Sequence, residues 1–116
     1  MNDKTVTSGF LNLDNHILPY ESNGALAQTV YLDGEVFCSN YRLVWSYSDF
    51  IRAIHLKHIV KLIVSKQQVS HNGEFIDVWC LEIYTGHKDR DWLYFNMNEE
   101  SEMFIKHVEE KVMNAR

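Results

Sequence analysis

His55 and His58, three residues apart, are the first side chains whose types suggest chemistry, because imidazole is a common metal ligand. A zinc site needs three or four ligands. No cysteine or carboxylate stands close by in sequence, so the pair reads as ordinary surface or partly buried histidine. Cys38 and Ser39 are nucleophile types. They lack the glycine-framed turn and the matched histidine and acid that would activate them. Asp77, Glu82 and Asp91 are the carboxylates that a fold could gather, but nothing in their surroundings argues for the raised pKa of a general acid. Neither GxxxxGK[ST] nor GxGxxG occurs. The chain therefore reads as non-enzymatic, with no cofactor and no metal. What remains is a set of cations, Arg52, Lys57, Lys61, Lys66, Lys88 and Arg90, all of which follow an acidic segment, Asp33-Gly34-Glu35. Several such donors converging from neighbouring strands and loops would make an anion site.

Composition bounds the partners. A chain of 116 residues, 46% apolar and 13% aromatic, has enough material for one domain with a real core. Its net charge of −5 argues against coating nucleic acid, which needs clustered Lys and Arg to displace counterions. Attraction to an acidic membrane would need a local basic patch. Two cysteines in predicted strands read as free buried thiols in a reducing compartment. The first residues, Met1-Asn2-Asp3-Lys4-Thr5, lack the basic-then-apolar pattern of a signal peptide, and Asn2 excludes N-myristoylation. No apolar run reaches the ~20 residues of a membrane helix. A cytoplasmic protein is the expectation.

The elements that would position these groups are mostly strands. Residues 1–15 read as an N-terminal segment whose apolar knot, Phe10-Leu11-Asn12-Leu13, makes either a leading strand or a tail docked on the body; residues 16–116 read as the domain. Pro19 suits a strand edge or start. Leu26 to Leu32 alternates, and Asp33-Gly34 gives a strong two-residue hairpin signal before Val36-Phe37-Cys38. Tyr41 to Tyr47 alternates cleanly. Phe50 to His55 and His58 to Ser65 follow, the second apolar on both faces. Gln67 to Gly73 is a long polar stretch that ends in Asn72-Gly73, a second hairpin signal. Ile76 to Tyr84 and Trp92 to Met97 close the strand series. From Asn98 the pattern changes period. Phe104, Ile105, Val108 and Val112 form one helical stripe, with Asn98 as N-cap and Glu99, Glu100 and Glu102 in the first turn. About seven strands in hairpin order and one closing helix predict a mostly β fold, with an antiparallel barrel plugged by the helix.

Within that pattern, Gly34-Glu35-Val36-Phe37-Cys38-Ser39-Asn40-Tyr41-Arg42-Leu43-Val44-Trp45 resembles the GRAM and GLUE domains of the pleckstrin-homology-like superfamily, where a glycine precedes a strand and then Thr-Asn-Tyr-Arg-Leu. Ile54 to Ile63, Leu81 to Thr85 and Trp92 to Phe95 are similar to later strands of that family, so the likeness spans about residues 20 to 114. The resemblance implies a non-enzymatic adaptor that binds a protein partner, ubiquitin or a trafficking-complex subunit among them. It implies as the alternative a phosphoinositide-binding module, peripheral on endosomal or other membranes. By analogy with a displaced lipid pocket, the loop from Lys66 to Gly73 and the loop from Gly86 to Arg90 would share one rim. Arg52, Lys66, His71, Lys88 and Arg90 are then the candidate ligand-binding residues, with His87 beside them. The chain departs from the family at Asp33-Gly34-Glu35, where phosphate-binding members carry basic residues. Interleaved Glu74, Asp89 and Asp91 also fit plain solvated loops. Arg42 reads as a packing or ion-pair residue, with ligand contact the second reading. The tryptophans and tyrosines exceed what one small core needs, so some must show outside, either clustered as an interface or scattered.

Overall fold

Alternating residues and turn signals sort the chain into seven strands and one helix. The computed structural model describes residues 12–23, 25–86 and 88–116. β1 (Ala27–Tyr31), β2 (Gly34–Cys38), β3 (Arg42–Tyr47) and β4 (Phe50–His55) form one antiparallel meander. β5 (Lys61–His71), β6 (Glu74–Tyr84) and β7 (Arg90–Asn96) form a second. α1 (Glu99–Asn114) follows.

Among the described residues the fold is mostly β with one C-terminal helix, as predicted, but the strands form two sheets and no closed barrel. The sheets join main chain to main chain at one corner, where the Leu32 N–H donates to the Tyr94 carbonyl at 2.9 Å. On the other flank β4 and β5 each end their sheet. The cause lies between them. Leu56–His58 make a single 3-10 turn, and the Leu56 N–H bonds the Tyr41 carbonyl at 2.9 Å while the Val60 N–H bonds the Tyr84 carbonyl at 2.8 Å. These bonds redirect the chain, so β5 leaves β4 instead of folding back on it.

The main core lies between the two sheets and the helix. Val36, Cys38, Leu43 and Trp45 meet Leu81, Ile83, Leu93 and Phe95, and Phe104, Ile105, Val108 and Val112 of α1 cover the group. Asn98 caps the helix by accepting from the Ser101 N–H at 2.8 Å. A smaller cluster covers the other face of the first sheet, where Leu13 and Ile17 pack on Phe37, Val44 and Ile51. β2 and β3 are therefore buried on both faces, which explains their nearly continuous apolar sequence. Asn12 to Asn15, the described end of the N-terminal segment, reach the body through buried Leu13; residues 1–11, including Phe10 and Leu11 of the Phe10–Leu13 knot, lie outside the described residues.

Several sequence expectations change in detail. Pro19 opens a 3-10 turn, Pro19–Ser22, where its fixed φ suits the first position, and starts no strand. The residues of the first hairpin turn are Leu32 and Asp33, and Gly34 is already in β2 opposite Tyr31. A Cβ on Gly34 would sit 2.6 Å from both the carbonyl oxygen and the hydroxyl of Ser46, so the glycine is there for close approach of β3. Asn72 and Gly73 behave as read, with φ of 54° and 83° in a tight turn. The strand expected from His58 to Ser65 starts at Lys61, and its second face is open to solvent at Lys61 and Ile63.

Candidate functional site

Two arginine–carboxylate clusters stand out, and they have opposite characters. The first surrounds Arg42. Its Nε and Nη2 donate to the two oxygens of Glu21 at 2.8 and 2.6 Å, and Nη2 also donates to the His16 carbonyl at 2.8 Å. Glu21 further accepts from the Leu18 N–H at 2.9 Å and the Ser39 hydroxyl at 2.8 Å. Ser39 in turn accepts from the N–H groups of Tyr41 and Arg42. Glu21 is only 2% exposed. Burial alone would push its carboxyl up, but the Arg42 guanidinium, the Leu18 amide and the Ser39 hydroxyl outweigh it and hold the group below the ordinary 4.5. Both Glu21 oxygens, and the Nε and Nη2 of Arg42, are engaged within the protein. Arg42 is thus an ion-pair residue that fixes the N-terminal turns to the β2–β3 connection.

The second cluster is open. Trp45, Tyr47, Phe50, Arg52, Arg90, Asp91 and Trp92 line a cleft of about 310 Å³ where the β3–β4 turn faces the start of β7. Strand register sets the geometry: Tyr47 lies opposite Phe50 and Trp45 opposite Arg52 in the first sheet, and Tyr84 opposite Arg90 and Glu82 opposite Trp92 in the second. Tyr47, Phe50 and Trp92 are 47%, 51% and 48% exposed. The rings of Tyr47 and Phe50 lie 5.5 Å apart, and the Arg90 guanidinium sits 4.9 Å over the Trp92 ring. Arg52 donates through Nε and Nη2 to one oxygen of Asp91, at 3.3 and 2.9 Å, across the gap between sheets. Arg90 donates to Glu82 at 3.0 Å.

Comparison with family models, with curated proteins and with solved structures finds no match for this chain.

Of the candidate anion-binding residues, the structure brings together only Arg52 and Arg90. Lys66 and His71 belong to β5, and the segment read as a loop is strand as far as His71, paired residue by residue with β6. Its polar composition comes from a ribbon that extends past β7, whose pairing with β6 stops at Val78. Lys61 and Tyr84 mark the end of the hairpin beside the Gly86–Arg90 loop, and His71 and Glu74 mark the other. At ~3.3 Å per residue, His71 lies roughly 33 Å along the strand from Lys61, and Lys66 about half that far. The two segments expected to share a rim therefore sit at different places on one long hairpin. Lys88 is exposed in the loop before β7. His87 lies outside the described residues.

The paired histidines and the two cysteines lie outside the lining of the cleft. His55 and His58 pack edge to face at 5.7 Å, and among the described residues no group of three or more metal-ligand types is placed to hold an ion. Cys38 and Cys80 are free and buried. Burial pushes the Cys38 thiol up to about 12 and raises Cys80 as well, so neither offers a thiolate at neutral pH. Sequence reasoning counted surplus aromatic residues without seeing that Tyr47, Phe50 and Trp92 meet. The only signal for it was the placement of Tyr47 and Phe50 on either side of the Ser48-Asp49 turn. Among the described residues no helix is long and apolar enough to cross a membrane.

Proposed function

We propose that this chain is a non-enzymatic, pleckstrin-like adaptor domain that docks a protein partner in the cleft between the β3–β4 turn and β7. The observation that carries the reading is the convergence of three half-exposed aromatic rings and two arginines on one open cleft. Aromatic and arginine side chains dominate binding energy at protein interfaces, and three such rings on one surface are not scattered exposure. The pleckstrin-like part of the reading draws on the order of two antiparallel meanders, one main-chain joint between them and a C-terminal helix over the core. Ubiquitin or a trafficking-complex subunit is the partner that the family resemblance suggests.

Peptide display against the protein, counter-screened with Phe50→Ala and Trp92→Ala, tests the reading. Selected sequences should lose binding to both variants while both keep the parental melting temperature. If every selected sequence binds the variants as it binds the parent, the cleft is not the docking site.

The phosphoinositide alternative has less support. Arg52 and Arg90 are already engaged by Asp91 and Glu82, and Lys66 and His71 lie elsewhere on the hairpin. Vesicles rich in phosphoinositide, sedimented with the protein at low salt, should leave it in the supernatant. Pelleting that Arg52→Glu plus Arg90→Glu abolishes would restore the membrane reading.

A further inference from the structure

We infer that the occupant of the cleft is an uncharged, proline-rich segment in the polyproline II conformation, an inference that rests on the protein-docking reading above. Tyr47 comes from the end of β3, Phe50 from the start of β4 and Trp92 from β7. Tyr47 and Phe50 face each other across one strand pair and Trp92 stands on a paired strand of the second sheet, so each ring is carried by ordered main chain before any ligand arrives. Ring walls held in this way accept flat, rigid apolar groups. A polyproline II segment presents such groups at intervals of three residues, about 9 Å along its axis. It has no internal hydrogen bonds, so its carbonyls need donors from the partner. The cleft supplies them. A guanidinium has five N–H donors. Arg52 donates from Nε and Nη2 to Asp91, and Arg90 donates from Nη1 to Glu82, which leaves N–H groups on both for a ligand carbonyl.

Charge selects among extended chains. The cations of the cleft are balanced one for one, Arg52 by Asp91 and Arg90 by Glu82. An acidic or phosphorylated segment would bring its charge to a cleft whose cations already have carboxylate partners, and would lie beside Asp91. A basic segment would meet two guanidinium groups, one of them already occupying a face of Trp92. A neutral segment disturbs neither pair. Because polyproline II is largely preformed in the free chain, little ordering entropy opposes its entry.

The test is a titration of the full chain with decaproline, followed by tryptophan emission and calorimetry. A glycine–serine peptide of equal length, a phosphotyrosine peptide and anionic vesicles serve as the competing ligands. Decaproline should bind saturably and the competitors should not. Phe50→Ala and Trp92→Ala should each weaken it by about tenfold or more, the loss expected of a hot-spot ring. Phe75→Ala, at the far end of the β5–β6 hairpin, should bind as the parent does. No response to decaproline at millimolar concentration, equal binding by Phe50→Ala, or tighter binding of the phosphopeptide or vesicles would overturn the inference. If proline-free sequences from the display selection still depend on Phe50 while decaproline fails, the cleft docks protein of another kind. If neither depends on Phe50, the docking reading falls as well.

Discussion

Arg42 with Glu21 and Arg52 with Asp91 use the same pair of functional groups, and they differ in what surrounds them. At Arg42 the carboxylate side chain is 0% exposed and the arginine 16%; the carboxylate also accepts from the Leu18 N–H and the Ser39 hydroxyl, and the arginine also donates to the His16 carbonyl. At Arg52 the carboxylate is 27% exposed and the arginine 44%, with half-exposed aromatic rings alongside and no second anchor on the pair. Charge pairing in a saturated, buried setting holds a fold together. In an open setting it contributes little to stability and leaves side chains ready for a ligand. The contrast between a structural knot and a surface proposed for recognition therefore rests on burial and satisfaction, and residue type says little about it.

Removing half of each pair should separate the two most sharply. Glu21→Ala leaves the Arg42 guanidinium partly buried and unpaired, and strips acceptors from Leu18 and Ser39. A loss of about 3–5 kcal/mol is expected, read from denaturant midpoints. Arg42→Lys, which keeps the charge, should lose a smaller part of the same stability, because an ammonium cannot reproduce the two-pronged contact. A Glu21→Ala protein as stable as its parent would mean that the knot is dispensable and that the comparison is false.

A smaller effect is expected at Gly34, which lets β3 approach the first hairpin. The added methyl of Gly34→Ala would meet Ser46 main chain at 2.6 Å, and the Ser46 hydroxyl, which accepts from the Glu35 N–H, would have to move. A cost of about 1–3 kcal/mol follows from overpacking of this kind. The Ser46 carbonyl also accepts from the Tyr31 hydroxyl at 2.6 Å, so a shift there reaches Trp45 and Tyr47 on either side in β3 and loosens one wall of the cleft. Thermal melts would give the cost. A decaproline titration would then show whether a cleft distorted from beneath binds less well than one intact.

Acid should act on the knot. The folded-state pKa of Glu21 lies below its ordinary 4.5, so the knot's contribution is fully present above that value and is lost as pH falls through the folded one. Denaturant midpoints should therefore drop as pH is taken down from 4.5, and Glu21→Gln should flatten that part of the profile. An unchanged slope in Glu21→Gln would place the acid sensitivity in other carboxylates.

Much of this was legible in the sequence, for identifiable reasons. Strands around 41–47 and 76–84 were readable from their apolar, β-branched and aromatic residues between turn signals, and the stripe Phe104, Ile105, Val108, Val112 could only be helical. Asn98 and Asn72-Gly73 were readable because capping and left-handed turns depend on a few local atoms. Nonlocal relations were not readable. Glu21 sat in a cluster of turn residues and gave no sign that a partner 21 residues away would bury it. Gly34 has its own reason in the neighbouring strand. The rim expected from Lys66, His71, Lys88 and Arg90 failed because polar residues were taken for loop, whereas two strands that extend past their sheet can be polar on both faces and stay paired. The cleft escaped notice because it depends on how two sheets cross, and strand patterns carry no record of that.

The smallest expected effect decides how the cleft is understood. Arg52→Ala removes a contact between exposed side chains, whose pairs contribute ~0–1 kcal/mol and weaken in salt. Its melting temperature should stay close to the parent, and strong salt should erase most of the difference. Decaproline binding should weaken nonetheless, since the variant loses carbonyl donors and frees Asp91. A large stability loss in Arg52→Ala would reverse the assignment. The Arg52–Asp91 bridge would then be a clamp between the two sheets at their open end, and the rings around it would be exposed core rather than a surface kept for a partner.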